Sequence, residues 1–326
     1  MRVTPLPDEP LVSLDEIREA AARLEGVVVR TPLVRSEQLA RESGAAEVRL
    51  KCENLQRAGA FKARGGNNYV SQLTDDEARN GIITYSSGNH AQAVALAAKI
   101  RGVRAVVVMP TTAPKVKSEG AAALGAEVVF EGTTSIQRKA RAETIAEAEG
   151  LAMIPPFDHR AIIAGQATAA LEILEEWPEV DTVLVPIGGG GLAAGTAAAM
   201  KALKPGSRVF GVEPVGGASM KAALDAGHTV LLESTNSIAD GLLPVRAGEL
   251  TFRHLKELAD GVVTVDDDAI LDATKLLLHQ HHLVVEFSGA ATTAALRTGT
   301  VDVAGRNVAV IISGGNLDPS FLHLLA

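Results

Sequence analysis

From residue 81 onward, short and wholly apolar runs alternate with longer segments of helical periodicity. Ile82-Ile83-Thr84-Tyr85, Ala105-Val106-Val107-Val108-Met109 and Ala126-Glu127-Val128-Val129-Phe130 read as strands, and 91–100, 114–124 and 135–149 as helices. Apolar runs separated by helices predict a parallel sheet covered on both faces. Pro155-Pro156-Phe157-Asp158 marks a boundary. Beyond it come a helix over 162–176, the strand Thr182-Val183-Leu184-Val185-Pro186-Ile187 and an alanine-rich helix. Arg208-Val209-Phe210-Gly211-Val212-Glu213 and Val308-Ala309-Val310-Ile311-Ile312 are the last strands in this reading.

The first 80 residues follow a different rhythm. Ser13 and Glu16 form a capping box ahead of Leu14, Ile17, Ala21 and Leu24 at helical spacing, and Gly26 stops the helix. Residues 27–29 and 31–34 read as extended, 36–41 as a helix ending near Gly44, and Val48-Arg49-Leu50-Lys51-Cys52 as a strand. A helix is expected over 67–73. The pattern predicts an α/β protein of two lobes with a cleft: a large domain of 1–80 and 159–326, and a small one of 81–158.

Composition narrows the functional classes. A hydrophobic share of 47% over 326 residues supports a large core, and the net charge of −8 argues against a nucleic-acid surface. The single cysteine, Cys52, excludes an internal disulfide framework. No apolar run reaches the length of a membrane span, and the proline-rich start is unlike a signal peptide. The expectation is a cytoplasmic protein without membrane or nucleic-acid partners.

Chemistry concentrates where periodicity fails. After the strand ending at Cys52, the stretch Glu53-Asn54-Leu55-Gln56-Arg57-Ala58-Gly59-Ala60-Phe61-Lys62-Ala63-Arg64-Gly65-Gly66 has glycines suited to a tight loop and close backbone approach. Lys62, between Phe61 and Ala63, has two readings: a surface lysine near a helix start, or an amine desolvated by apolar walls and thereby made nucleophilic. Three strands end in small polar turns: Ser86-Ser87-Gly88-Asn89-His90, Gly188-Gly189-Gly190-Gly191 and Ser313-Gly314-Gly315-Asn316. Strand carboxyl ends are where open α/β sheets bind ligands.

The four glycines, between a strand and a helix, suit convergence of backbone N–H groups on a phosphate. No Gly-Lys-[Ser/Thr] follows, which argues against a nucleotide P-loop. A dinucleotide fingerprint stays open, because Gly188, Gly190 and Ala193 fit G-x-G-x-x-A and Glu213 ends a strand at about the ribose-binding distance. Ser86 and Ser87 with Asn89 and His90 are more polar than a helix cap requires. The turn suits a substrate carboxylate, with His90 a structural hydrogen-bonding residue. His279-Gln280-His281-His282 lacks a third-ligand motif and reads as a helix end.

Together these segments resemble the fold-type II pyridoxal-phosphate enzymes, in particular the threonine dehydratase and serine racemase group. Besides those already quoted they include Leu192, Gly211-Val212-Glu213-Pro214 and Ala239-Asp240-Gly241, in family order from about Leu14 to Asp318. The resemblance implies a two-lobed, tryptophan synthase β-like α/β fold whose small lobe closes on substrate. It implies that Lys62 holds the cofactor aldehyde as a Schiff base and moves the substrate α-proton. Gly188, Gly189, Gly190 and Gly191 would bind the phosphate, Asn89 the ring hydroxyl oxygen and Ser313 the ring nitrogen. Phe61, Leu192, Glu286 and Gly314 would complete the cofactor's surroundings. Ser86, Ser87, Gly88, Asn89 and His90 would surround the substrate carboxylate.

The implied reaction is β-elimination from a β-hydroxy-α-amino acid such as L-threonine or L-serine, giving a 2-oxo acid and ammonia. Alternatives are racemisation, for which Ser87 matches the second acid/base, or dehydration of another substrate such as 3-hydroxyaspartate. A homodimer or homotetramer is implied. The family's cation site uses a glutamate, a carbonyl and an aspartate; Glu213 matches the first, but Ser219 stands where the aspartate belongs, so no metal is expected. Glu286-Phe287 replaces the usual Glu-Pro, and Phe287 is expected to narrow the pocket. Arg138 falls loosely at a substrate-carboxylate contact but reads more simply as a solvated helix face. The chain ends soon after Asn316, so no C-terminal regulatory domain is expected.

Overall fold

The computed structural model describes residues 9–86 and 88–326. The strands in chain order are β1 (Leu33–Arg35), β2 (Glu47–Cys52), β3 (Ile82–Tyr85), β4 (Ala105–Met109), β5 (Glu127–Phe130), β6 (Ala152–Met153), β7 (Thr182–Pro186), β8 (Arg208–Pro214), β9 (Gly261–Val265) and β10 (Asn307–Ile312). They form a six-stranded sheet of order β1-β2-β10-β7-β8-β9 and a four-stranded sheet of order β5-β4-β3-β6. All neighbours are parallel except β1 and β2.

The helices are α1 (Leu14–Leu24), α2 (Glu37–Ser43), α3 (Lys62–Val70), α4 (Asp75–Ala78), α5 (Asn89–Arg101), α6 (Lys115–Ala123), α7 (Ser135–Glu149), α8 (Arg160–Glu176), α9 (Gly191–Leu203), α10 (Ser219–Ala226), α11 (Glu249–Leu258), α12 (Asp267–His279) and α13 (Phe287–Arg297). None of the described helices is long and apolar enough to cross a membrane.

Strand side chains alternate between two cores. On β10, Ala309 and Ile311 face the core made with α1, α8, α9 and α11. Val308, Val310 and Ile312 face the opposite core, made with α2, α12 and α13. Each fully buried Val or Ile among these is worth roughly 1.5–3 kcal/mol of transfer free energy. The four-stranded sheet repeats the plan, with Ile82, Val107 and Met109 against α5 and α6, and Ile83, Val106 and Val108 against α7.

Close helix packing positions the site. Gly65 and Gly66 lie inside α3, which corrects the expected loop but bears out the expected close backbone approach. A Cβ on Gly65 would come 2.5 Å from Gln166 Nε2 of α8, and one on Gly195 of α9 would come 2.5 Å from Ile163 O of the same helix. Both lie below any real Cβ separation, so these glycines let α3 and α9 lie directly against α8. The start of α3, at Lys62, and the start of α9, at Gly191, are thereby fixed through one spacer.

Several boundaries differ from the sequence pattern. The expected helix over 67–73 starts five residues earlier and ends at Val70. Of the extended segment 27–34, only its end enters the sheet, as β1. The elements β9, α10, α11 and α13 carry no expectation from the sequence, whereas the helix end expected at 279–282 is the end of α12 at His279. β9 is a half-buried edge strand, and α13 opens on Phe-Ser-Gly without a side-chain cap, so neither has a strong local signal.

Candidate active site

The parallel register brings the polar turns together. Ile312 of β10 pairs with Cys52 of β2, so the segments leaving these strands start side by side. Ala60 bridges Gly314, Phe61 N donates to Ser313 O at 3.1 Å and Gly315 N to Gly59 O at 2.8 Å. Gly59 has φ 71°, and a Cβ there would meet the Asn316 side chain at 2.2 Å. Glycine is required on both counts. The lysine loop and the turn after β10 are thus one hydrogen-bonded unit.

Lys62 opens α3. Its ammonium donates to Pro156 O at 2.7 Å and sits 5.2 Å from the Phe61 ring centroid. No carboxylate pairs with it among the described residues, and burial pushes its pKa down to about 8. Of the two readings open from sequence, this favours the desolvated amine. His90 is 2% exposed; burial, with the Lys62 charge, pushes its imidazole down to about 3. Its Nε2 lies 3.5 Å from Ile154 O, and Nδ1 has no partner. His90 is therefore neutral near pH 7.

A different arrangement anchors α3 two residues on. Arg64 is fully buried and bonds Glu53 through Nε and Nη2 at 2.8 and 2.7 Å. Its Nη1 and Nη2 also reach Glu172 at 2.6 and 2.9 Å. Lys51 completes the cluster, 2.5 Å from Glu172 and 2.7 Å from Thr31 O. Burial alone would raise the Glu53 carboxyl, but Arg64, Lys51 and Thr31 hold it below its ordinary value. No motif-based reading singles out this network; the signal available was charged residues at Lys51, Glu53 and Arg64 flanking a buried strand.

The tetraglycine turn leads from β7 into α9. Gly190, with φ 98°, is the N-cap, and no side chain caps the helix. The turn's walls are close: a Cβ would lie 2.9 Å from Gly241 O at Gly188, 2.2 Å from the Phe157 ring at Gly189, and 2.7 Å from Thr251 Oγ1 at Gly190. The glycines therefore serve packing, whatever anion the turn receives. Leu192 is buried behind them. Asp158 accepts N–H bonds from Glu249, Leu250 and Thr251 at 2.9–3.2 Å, and Thr251 Oγ1 donates to Gly189 O at 2.7 Å. The chain crossing between the sheets is thus tied to the glycine turn.

The third turn follows β3. Gly88 is the N-cap of α5 and supplies no side chain, while Ser86 Oγ accepts from Gly88 N at 3.1 Å. Among the described residues no side chain caps the first N–H groups of α5, which leaves them available to an anion. Ser87, read as a catalytic and substrate-binding residue, lies outside the described residues. Asn89 Nδ2 donates to Glu286 Oε1, and Glu286 N to Gly314 O at 3.1 Å. Asn89, Glu286, Ser313 and Gly314 are therefore brought together with Phe61 and Lys62.

Other expectations change. Phe287 is 3% exposed, packs edge-on against Phe321 and joins the apolar core, so the expected narrowing of the pocket by this ring does not follow. Arg138 is not on a solvated face: it is 8% exposed, Nη1 donates to Thr133 O at 3.2 Å, and Nε is unpartnered. Glu213 accepts from the N–H groups of Met220 and Lys221, both at 2.8 Å, at the start of α10. Burial pushes its carboxyl up to about 7. That carboxylate is committed to a helix end, which disfavours the ribose contact of the dinucleotide reading. No cluster of three metal-binding side chains occurs among the described residues.

A desolvated lone amine, an uncapped helix start lined by glycine and an open second helix start fit a phosphorylated aldehyde together with an amino acid's carboxylate. A family profile described as pyridoxal-phosphate dependent enzyme matches residues 24–314. The chain is 41% identical to an L-threonine ammonia-lyase of Thermotoga maritima over 312 residues, covering 96% of this chain and 77% of that one. It is 40% identical to a serine racemase of Oryza sativa subsp. indica over 310 residues, covering 94% and 91%. The solved structure of maize serine racemase superimposes with a TM-score of 0.92 at 39% identity, covering 96% of each chain. With its fold and nearly its whole length in agreement, the chain belongs to the family of pyridoxal-phosphate dependent enzymes.

Proposed function

We propose that the protein is an ammonia-lyase acting on a β-hydroxy-α-amino acid, L-threonine or L-serine, to give the 2-oxo acid and ammonia. The observation that carries this reading is Lys62: an amine lowered to about 8, bonded among the described residues only to a carbonyl, and set beside three polar turns. Pyridoxal phosphate, when bound, withdraws electrons from the α-carbon and makes its proton removable.

Lys62 would hold the cofactor and take the substrate's α-proton, a task that suits an amine titrating near working pH. The N–H groups of Gly188 to Gly191 would receive the phosphate. The open start of α5, with Ser86 and Asn89, orients the substrate carboxylate. Ser313 offers the ring nitrogen a neutral hydroxyl, which does not keep that nitrogen protonated; limited carbanion stabilisation favours loss of a β-substituent. Hydroxide leaves the β-carbon as water, and the released enamine tautomerises and takes up water to yield oxo acid and ammonium. The unit built on the four-stranded sheet, 81–158, closes over the substrate and excludes solvent.

Racemisation is the second reading, favoured by the serine racemase relatives. It requires an acid/base on the other face of the α-carbon, the role the family resemblance gives Ser87. Incubating the holoenzyme with L-serine and L-threonine, and measuring oxo acid, ammonia and D-isomer, separates the two. Equimolar oxo acid and ammonia from wild type, and none from Lys62→Ala, are expected. Undiminished oxo-acid formation by Lys62→Ala would sink the proposal.

A further inference from the structure

Lys117 lies outside every motif read from the sequence, yet its side chain is 3% exposed and ends 2.6 Å from Asp240 Oδ2 and 3.1 Å from Glu286 Oε2. It belongs to α6, which packs with α5 on the four-stranded sheet, whereas both carboxylates belong to the body built on the six-stranded sheet. A polar chain continues from it. Asn89 Nδ2 donates to Glu286 Oε1, and Asn89 Oδ1 accepts from Asn316 Nδ2 at 3.0 Å. Asn316 Nδ2 also donates to Ala58 O at 2.9 Å.

Each link passes over a glycine. A Cβ on Gly88 would lie 2.2 Å from Lys117 Cδ, one on Gly314 2.2 Å from Glu286 Oε1, and one on Gly59 2.2 Å from Asn316 Oδ1. These glycines belong to the three segments that surround Lys62, so room is kept for this chain of side chains at every step.

The chain has one direction. An amide's two ends are nearly the same shape, and its orientation follows from its partners. Asn89 meets an acceptor at its nitrogen and a donor at its oxygen, which leaves one N–H and one lone pair for a ligand. The other oxygen of the same carboxylate, Glu286 Oε2, is ion-paired with the Lys117 ammonium.

We propose that Lys117 is a positioning residue: by holding the Glu286 carboxylate it fixes which end of the Asn89 amide faces the cofactor ring. Seating α6 against the six-stranded body thereby sets the ring's hydrogen bonds. The inference rests on the proposed placement of Asn89 beside the cofactor. Without the ammonium, the Glu286 carboxylate loses the ion pair that fixes its position beside Asn89. Free to turn, it no longer dictates the Asn89 orientation.

The test is a spectroscopic titration of apoprotein with pyridoxal phosphate, for wild type, Lys117→Met and Glu286→Gln. Wild type is expected to develop the absorption of a lysine-bound cofactor. Lys117→Met should retain the cofactor roughly tenfold or more weakly and show a displaced absorption maximum, and Glu286→Gln should show the same displacement. If Lys117→Met does not fold, the Glu286→Gln maximum decides. A wild-type maximum in the variants overturns the inference even where affinity falls, because a purely structural brace weakens binding without altering the ring's surroundings. A wild type that binds no cofactor contradicts the broader reading instead, so the two failures are distinct.

Discussion

Two clusters of buried charge flank Lys62, and they are built on opposite principles. Under α3, Arg64 and Lys51 face Glu53 and Glu172, two cations against two anions, with Arg64 engaged at Nε, Nη1 and Nη2. All four are tied to the six-stranded body. Across the cleft, Lys117 alone faces Asp240 and Glu286, and it comes from the other sheet's unit. A balanced, saturated network inside one body fixes a backbone. An unbalanced one between two bodies depends on their being together. The first holds the start of α3 in place; the second is the one we propose to carry the seating of α6 to the residues proposed to hold the cofactor.

The most severe way to break the comparison is Arg64→Met. It leaves two buried carboxylates sharing Lys51, and a loss of about 3–5 kcal/mol is expected in chemical denaturation. A loss under 1 kcal/mol would show that the network is not the scaffold. Lys117→Met should cost less, about 1–3 kcal/mol, because Asp240 is 38% exposed at its side chain and water can take over there.

The two clusters should also fail at opposite ends of the pH scale. Glu53 is held below its ordinary value of 4.5, so its stabilisation is intact above that value and lost as pH falls through the folded one. Lys117 is held above the ordinary 10.5: burial alone would lower it, but Glu286 and Asp240 outweigh that. Its stabilisation is complete below 10.5 and disappears only as pH rises beyond. Denaturation midpoints of wild type and both variants between pH 3 and 11 check this. Arg64→Met should flatten the acid limb, and Lys117→Met the alkaline limb. The smallest effect belongs to a surface control: Arg104, 41% exposed between Glu127 and Glu149, should cost no more than about 1 kcal/mol when replaced by alanine.

Much of this was legible in the sequence, for reasons that are local. Apolar runs such as Val106-Val107-Val108 and Val183-Leu184-Val185 announce parallel strands because both faces are buried, and each glycine-rich turn follows such a run directly. Lys62 was visible as a lysine among glycines and apolar neighbours. Lys117 was not: it sits in an ordinary-looking Lys-Val-Lys-Ser-Glu helix start, and only the tertiary fold shows which of its two lysines crosses the cleft. Gly65 and Gly66 were misread for a related reason. A glycine kept for helix–helix contact has the same local signature as one kept for a turn.

The contrast between the part-buried Lys62 and the buried Lys117 also gives the most direct test. Lys62, lowered to about 8, can present a neutral amine; Lys117, paired with two carboxylates, stays protonated and is no nucleophile. Borohydride reduction of the cofactor-loaded protein, followed by peptide mapping, should place the covalent label on the peptide containing Lys62. A label on the Lys117 peptide, or no label at all, would contradict the account.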